Sequence, residues 1–205
     1  MLLGKFKRLG FGKTLMAFSV AFIAEAFVYP SVRDAELWYA RPEKTLTYVR
    51  DVLKESRTGL GSLEELKLAD VIFFESVSHK MDPLFVLALI KTESTFYNWS
   101  RSMNGAVGLM QIKPATGEEL AEELDLKWKG EETLLNPYLN VKMGVHYFSN
   151  LMERYDDDAE VTLAAYNVGP GIVTSRHKLN EGWGQEFVGR VLGNYKDLKE
   201  RAEYY

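Results

Sequence analysis

An all-α fold is what this 205-residue chain predicts. Apolar residues fall at helical spacing in several stretches, helix-start signals precede them, and the alternating pattern of strands is nearly missing. The stretch 45–57 sets Leu46, Val49, Val52 and Leu53 on one helical face, and Thr58-Gly59-Leu60-Gly61 ends it. Ser62-Leu63-Glu64-Glu65 predicts a capping box for a second helix, which carries Leu68, Val71 and Ile72. Asp82-Pro83 supplies an N-cap followed by proline at the first helical position. The run Leu84-Phe85-Val86-Leu87-Ala88-Leu89-Ile90 is apolar on every side, so this third helix is expected to be buried all round.

Glu118, Glu119, Glu122 and Glu123 share one helical stretch and read as its solvated face. Asn136-Pro137 starts another helix, with Val141, Val145, Phe148 and Met152 as a core stripe. Asp156-Asp157-Asp158 lacks the alternating ligands and central glycine of a calcium loop, so a loop with an N-cap is predicted. Gly169-Pro170-Gly171 halts the helix that holds Tyr166, and a final helix is expected over about 186–204.

Hydrophobic residues make up 46% of the chain and charged ones 26%, which fits one globular domain with a workable core. The absence of cysteine removes disulfides, thiolate metal sites and a cysteine nucleophile together. His79, His146 and His177 stand outside paired helical spacing and read as incidental. Lys5, Lys7, Arg8 and Lys13 precede the apolar run 15–24, and Ala24-Glu25-Ala26 is a small-x-small site, the order of an export signal. Residues 1–26 are therefore expected to be a signal peptide or an uncleaved signal anchor. Without them the chain loses four of 25 basic and one of 29 acidic residues, leaving 21 against 28. So acidic a balance provides no basic patch for phosphates, and no nucleic-acid partner is expected.

Glu93 is the most informative residue. It follows the apolar run on the same helix, at the edge of a core, where desolvation raises a carboxyl pKa and suits it to general acid work. After Glu93-Ser94 come Phe96, Ser102 and then Gly105-Ala106-Val107-Gly108-Leu109-Met110-Gln111-Ile112-Lys113-Pro114; Ala164-Ala165-Tyr166-Asn167-Val168-Gly169-Pro170-Gly171 follows much later. In this order and spacing, over roughly residues 68–195, the three blocks resemble the catalytic domain of the soluble-type lytic transglycosylases, glycoside hydrolase family 23.

The resemblance implies an all-α, lysozyme-like fold. It divides the chain into the targeting segment, a helical extension over 27–67 and a catalytic domain over 68–205. It also implies a single catalytic carboxyl, Glu93, that cleaves the bond between N-acetylmuramic acid and N-acetylglucosamine without water. Ser102, Met110, Gln111, Tyr166 and Asn167 are implied as substrate-binding, with the Tyr166 hydroxyl close to the catalytic carboxyl. No cofactor or metal is implied. The partner is the peptidoglycan strand in the periplasm of a bacterial envelope, reached by an exported protein that is free or tethered through its N-terminal segment; the oligomeric state is left open.

Two departures stand out: Lys113 sits where many relatives have an apolar methionine, and Trp183 sits where relatives often have a glutamate. A lysine there is suited to a lactyl or peptide carboxylate. The alternatives are a goose-type lysozyme, with a similar loop but a water-consuming reaction, and a non-catalytic glycan-binding module.

Overall fold

A computed structural model of the chain describes residues 41–177 and 184–205. The expected targeting segment, Trp183 and the side chain of His177 lie outside the described residues. Nine helices occur among the described residues: α1 (Pro42–Glu55), α2 (Ser62–Ser78), α3 (Pro83–Ser94), α4 (Pro114–Glu123), α5 (Glu131–Leu135), α6 (Pro137–Arg154), α7 (Ala159–Val168), α8 (Pro170–His177) and α9 (Gln185–Ala202). Only isolated bridges interrupt this all-α pattern, as expected. No helix among the described residues is long and apolar enough to cross a membrane.

The molecule is organised around α3. Asp82 caps it by accepting from the Leu84 N–H at 2.8 Å, and Pro83 opens it. Every residue from Leu84 to Ile90 is at most 1% exposed, so the helix occupies the centre of the core. Its most extensive partner is α9. Tyr195 of α9 donates to Asp82 Oδ2 at 2.5 Å, and its ring lies 5.8 Å from Phe85, which in turn lies 5.3 Å from Phe148 of α6. The expected stripe on α6 is fully buried, and Asn136 caps that helix by accepting from the N–H groups of Tyr138 and Leu139. At the other end, the Tyr48 hydroxyl of α1 donates to the Leu198 carbonyl at 3.0 Å, so α1 shares the same core. Residue 68, the expected start of the catalytic unit, falls inside α2.

Three local expectations are corrected. The N-cap of α2 is Gly61, and Ser62 is the first helical residue. Glu64 does reach back, accepting from the Gly61 N–H at 2.8 Å, while a glycine has no side chain to return the bond. The first helix begins at Pro42 instead of residue 45, because proline is preorganised for a first helical position. Gly169-Pro170-Gly171 ends α7 as expected, with Gly169 at φ +94°, and Pro170 then starts α8, which the sequence did not announce.

The segment between α3 and α4 folds back on itself. Val107 and Ile112 exchange both backbone hydrogen bonds, and the Gly108 N–H donates to the Ser100 carbonyl at 3.0 Å. Asn140 of α6 fastens this loop to the frame. Its fully buried amide donates to the carbonyls of Val107 and Leu134 at 3.0 and 2.9 Å and accepts from the Met110 N–H at 2.7 Å. Gly108 is required for that approach: at φ +84°, a Cβ would collide with Asn140 Nδ2 and the Leu134 carbonyl. Its role is close packing against Asn140 and the Leu134 carbonyl.

Replacing Asn140 by alanine strands the Leu134 carbonyl and the Met110 N–H and takes one of two donors from the Val107 carbonyl. We predict a loss of about 3 kcal/mol, seen in a thermal melt as a drop of roughly 6–12 °C for a domain of this size. A melting point unmoved by Asn140→Ala would show that the loop is held by something else.

Candidate active site

Glu93 lies in the last turn of α3, where the helix reaches water after seven buried apolar residues. Thr95 and Phe96 then turn the chain away at positive φ, 52° and 66°. The carboxyl is half-buried and pushed up to about 7, chiefly by burial, with the Arg190 guanidinium acting in the opposite direction. No other carboxylate acts on it among the described residues. The expected general acid therefore stands alone, half protonated near neutrality.

Tyr166 faces it from α7. Its hydroxyl donates to the Met110 carbonyl at 2.8 Å, and burial, the Glu93 carboxyl and Tyr147 together push its phenol well above the ordinary tyrosine value. The Tyr166 ring lies 5.5 Å from that of Tyr147 and 5.8 Å from that of Phe148, both on α6. The structure thus brings Tyr166, Glu93 and the Met110–Gln111 loop together across more than seventy residues of sequence.

Gln111 sits at φ +49° with its amide nitrogen donating to the carbonyls of Gly108 and Ser100 at 2.9 and 3.2 Å. Those bonds orient the half-buried side chain, and its amide oxygen accepts none among the described residues. Ser102 is exposed, and its Oγ accepts from the Ala106 N–H at 3.0 Å, which closes the loop tip. Asn167, beside Tyr166, is exposed. Met110, expected among the substrate-binding residues, has its side chain wholly buried against Gly144, where a Cβ would collide with it, so in this structure it fills core. What Met110 contributes here is the carbonyl that holds Tyr166.

Arg190 was missed because no motif marks it and only the α3–α9 packing brings it to Glu93. The two histidines that read as incidental also meet. The rings of His79 and His146 lie 5.7 Å apart, and His146 Nε2 lies 3.0 Å from Glu123 Oε2, which joins the ends of α2 and α4 to α6. The rest of the acidic face of α4 is exposed, as expected.

An all-α frame with a single desolvated carboxyl at the end of its buried central helix is that of a lysozyme-like domain. Residues 70–186, more than half of the chain, match the family model described as the transglycosylase SLT domain, and the chain belongs to that family. It is 33% identical over 85 residues to a putative soluble lytic murein transglycosylase of Haemophilus influenzae, covering 42% of this chain and 14% of that protein. It is 31% identical over 90 residues to the soluble lytic murein transglycosylase of Salmonella typhimurium, covering 43% and 14%. A longer match, 29% over 139 residues, links it to membrane-bound lytic murein transglycosylase F of Desulfosudis oleivorans, covering 62% and 28%. Among solved structures, an inactive mutant of the lytic transglycosylase Slt from Pseudomonas aeruginosa superposes with a TM-score of 0.59 at 22% identity, covering 65% of this chain and 24% of that one. That likeness speaks for the fold alone. The chain spans about a seventh of the length of the first two relatives.

The raised Glu93 value has a consequence for stability. In the unfolded chain the carboxyl titrates near 4.5 and in the folded protein near 7. The folded state therefore holds the proton more tightly, and its stability is fully present below 4.5 and falls as pH rises through 7. Glu93→Gln, neutral at every pH, should melt with wild type in mild acid and above it at pH 8. For a half-buried group the difference should be about 1 kcal/mol, or roughly 2–4 °C. Parallel melting curves at both pH values would mean that the carboxyl is not desolvated.

Proposed function

We propose that the chain is a peptidoglycan lytic transglycosylase, acting in the bacterial envelope on glycan strands, with Glu93 as acid and then base. The observation that carries this proposal is the solitary carboxyl: Glu93 is raised to about 7, and no second carboxylate acts on it among the described residues. An ordinary glycosidase needs two carboxylates, one of them to serve as nucleophile or to activate water. With one, the intramolecular route is the chemistry available. Glu93 gives its proton to the oxygen of the bond between N-acetylmuramic acid and N-acetylglucosamine as that bond breaks. The resulting carboxylate then removes the proton from the 6-hydroxyl of the same muramic residue, whose oxygen bonds to the anomeric carbon. The carboxyl is restored, the product is a 1,6-anhydro sugar, and no water is consumed. Holding the nucleophile within the substrate replaces an encounter with water by a preoriented reaction.

The remaining site residues have supporting places. Tyr166, fixed by the Met110 carbonyl, presents its ring and hydroxyl beside Glu93; Gln111 offers its amide oxygen, and Ser102 and Asn167 are exposed for glycan contact. The names of the relatives, soluble and membrane-bound murein transglycosylases alike, support the substrate and the envelope location. The export signal expected over 1–26 supports the same location.

Purified sacculi digested with the protein should release fragments one water lighter than a lysozyme would give. Glu93→Gln should slow that release by at least roughly a hundredfold, the low end for general acid–base catalysis. Fragments carrying the extra water would make the enzyme a hydrolase, and a Gln variant near wild-type rate would remove Glu93 from the chemistry.

A further inference from the structure

Arg190 carries chemistry that the motifs leave unassigned. Asn194 Nδ2 of α9 donates to Thr92 Oγ1 of α3 at 2.9 Å, which ties the middle of α9 to the residue preceding Glu93. Arg190 lies one turn before Asn194 on the same face of α9, so packing sets it at the Glu93 end of α3. Its guanidinium carbon lies 6.0 Å from the Phe187 ring centroid, at the outer limit of a cation–π contact. The residue is exposed and forms no ion pair among the described residues. A guanidinium open to water, beside the candidate acid and without an ion-paired carboxylate among the described residues, is suited to a carboxylate brought by the substrate.

The charge balance of the chain sharpens the point. The net charge is −4, and a strand whose peptide stems carry carboxylates gains nothing from an acidic surface except at a local cation. Lys113, the cation that the sequence suggested for this task, is exposed at the N-cap of α4, and its charge does not act on Glu93.

We propose that Arg190 is an anion-binding residue beside Glu93 and takes a carboxylate of the peptide stem on the muramic residue being cut, a role that rests on the peptidoglycan-cleaving function proposed above. The pairing has a consequence for Glu93. Of the groups facing it, Tyr166 from α7 stays neutral, and Arg190 from α9 is the charge that favours its ionised form. When a substrate carboxylate compensates Arg190, burial acts with less opposition and the acid holds its proton. Binding of the correct, anionic strand thereby readies the acid for proton transfer.

The test compares wild type, Arg190→Gln and Arg190→Lys on two substrates: native strands, and the same strands with their stem carboxylates converted to carboxamides. Below the Glu93 midpoint, Arg190→Gln should raise KM on native strands roughly three- to tenfold with kcat nearly unchanged, as expected for a partly solvated charge-assisted pair. Arg190→Lys should keep most of the wild-type KM. On amidated strands wild type should already show the raised KM, and Arg190→Gln should add nothing. An unchanged KM on native strands, or an equal rise on both substrates, overturns the assignment. Wild type serves as the check on the underlying function, since anhydro-ended fragments must appear in its digests whatever Arg190 does. Their absence would sink the transglycosylase proposal itself.

Discussion

The site depends on one conflict: a carboxyl placed at the end of a helix that has no polar face. Seven consecutive apolar residues force α3 into the centre of the core, where other helices cover it from every side. A helix so buried meets water only at its ends. Asp82 lies at one end, itself buried and satisfied by the Leu84 N–H and by Tyr195. Glu93 meets water at the other with no such partners among the described residues, and desolvation outweighs the attraction of Arg190. The two acids differ in hydrogen bonding: Asp82 accepts from two donors, while burial against apolar surface raises Glu93.

A carboxyl in that state is useful only if what surrounds it is fixed. The loop after α3 contains residues at positive φ, a costly arrangement that persists only when the surroundings over-determine it. Asn140 supplies that determination from α6, and the Gln111 amide supplies it within the loop. Tyr166 closes the circuit by holding the Met110 carbonyl while facing Glu93. Each of these polar groups satisfies a backbone atom inside the protein, so the site is built with few groups left to rearrange when a substrate arrives.

Much of this was legible in the sequence because it is local. Asp82-Pro83, Asn136-Pro137 and Asp158 encode caps within a few residues, and the structure has all three. The apolar run of α3 predicted its own burial, and with it the desolvated Glu93. What was not legible is set by packing between distant segments. Nothing near Asn140 indicates that its amide will serve carbonyls on two other segments, and nothing near Arg190 points to Glu93, about a hundred residues earlier. Met110 lay within a motif, yet which way its side chain turns was decided by Gly144 on α6. His79 and His146 looked isolated because contact between helices, not spacing along one, joins them. Capping is a property of neighbours in the chain, while a polar site is a property of neighbours in space.

The most direct test is a titration of Glu93 itself, by carbon NMR of the side-chain carboxyl in labelled protein, with Glu93→Gln identifying the resonance. Desolvation by α3 predicts a single carboxyl with its midpoint at about 7. A Glu93 midpoint near the ordinary value of 4.5 would contradict the account, because a fully ionised carboxylate at neutral pH has no proton to give.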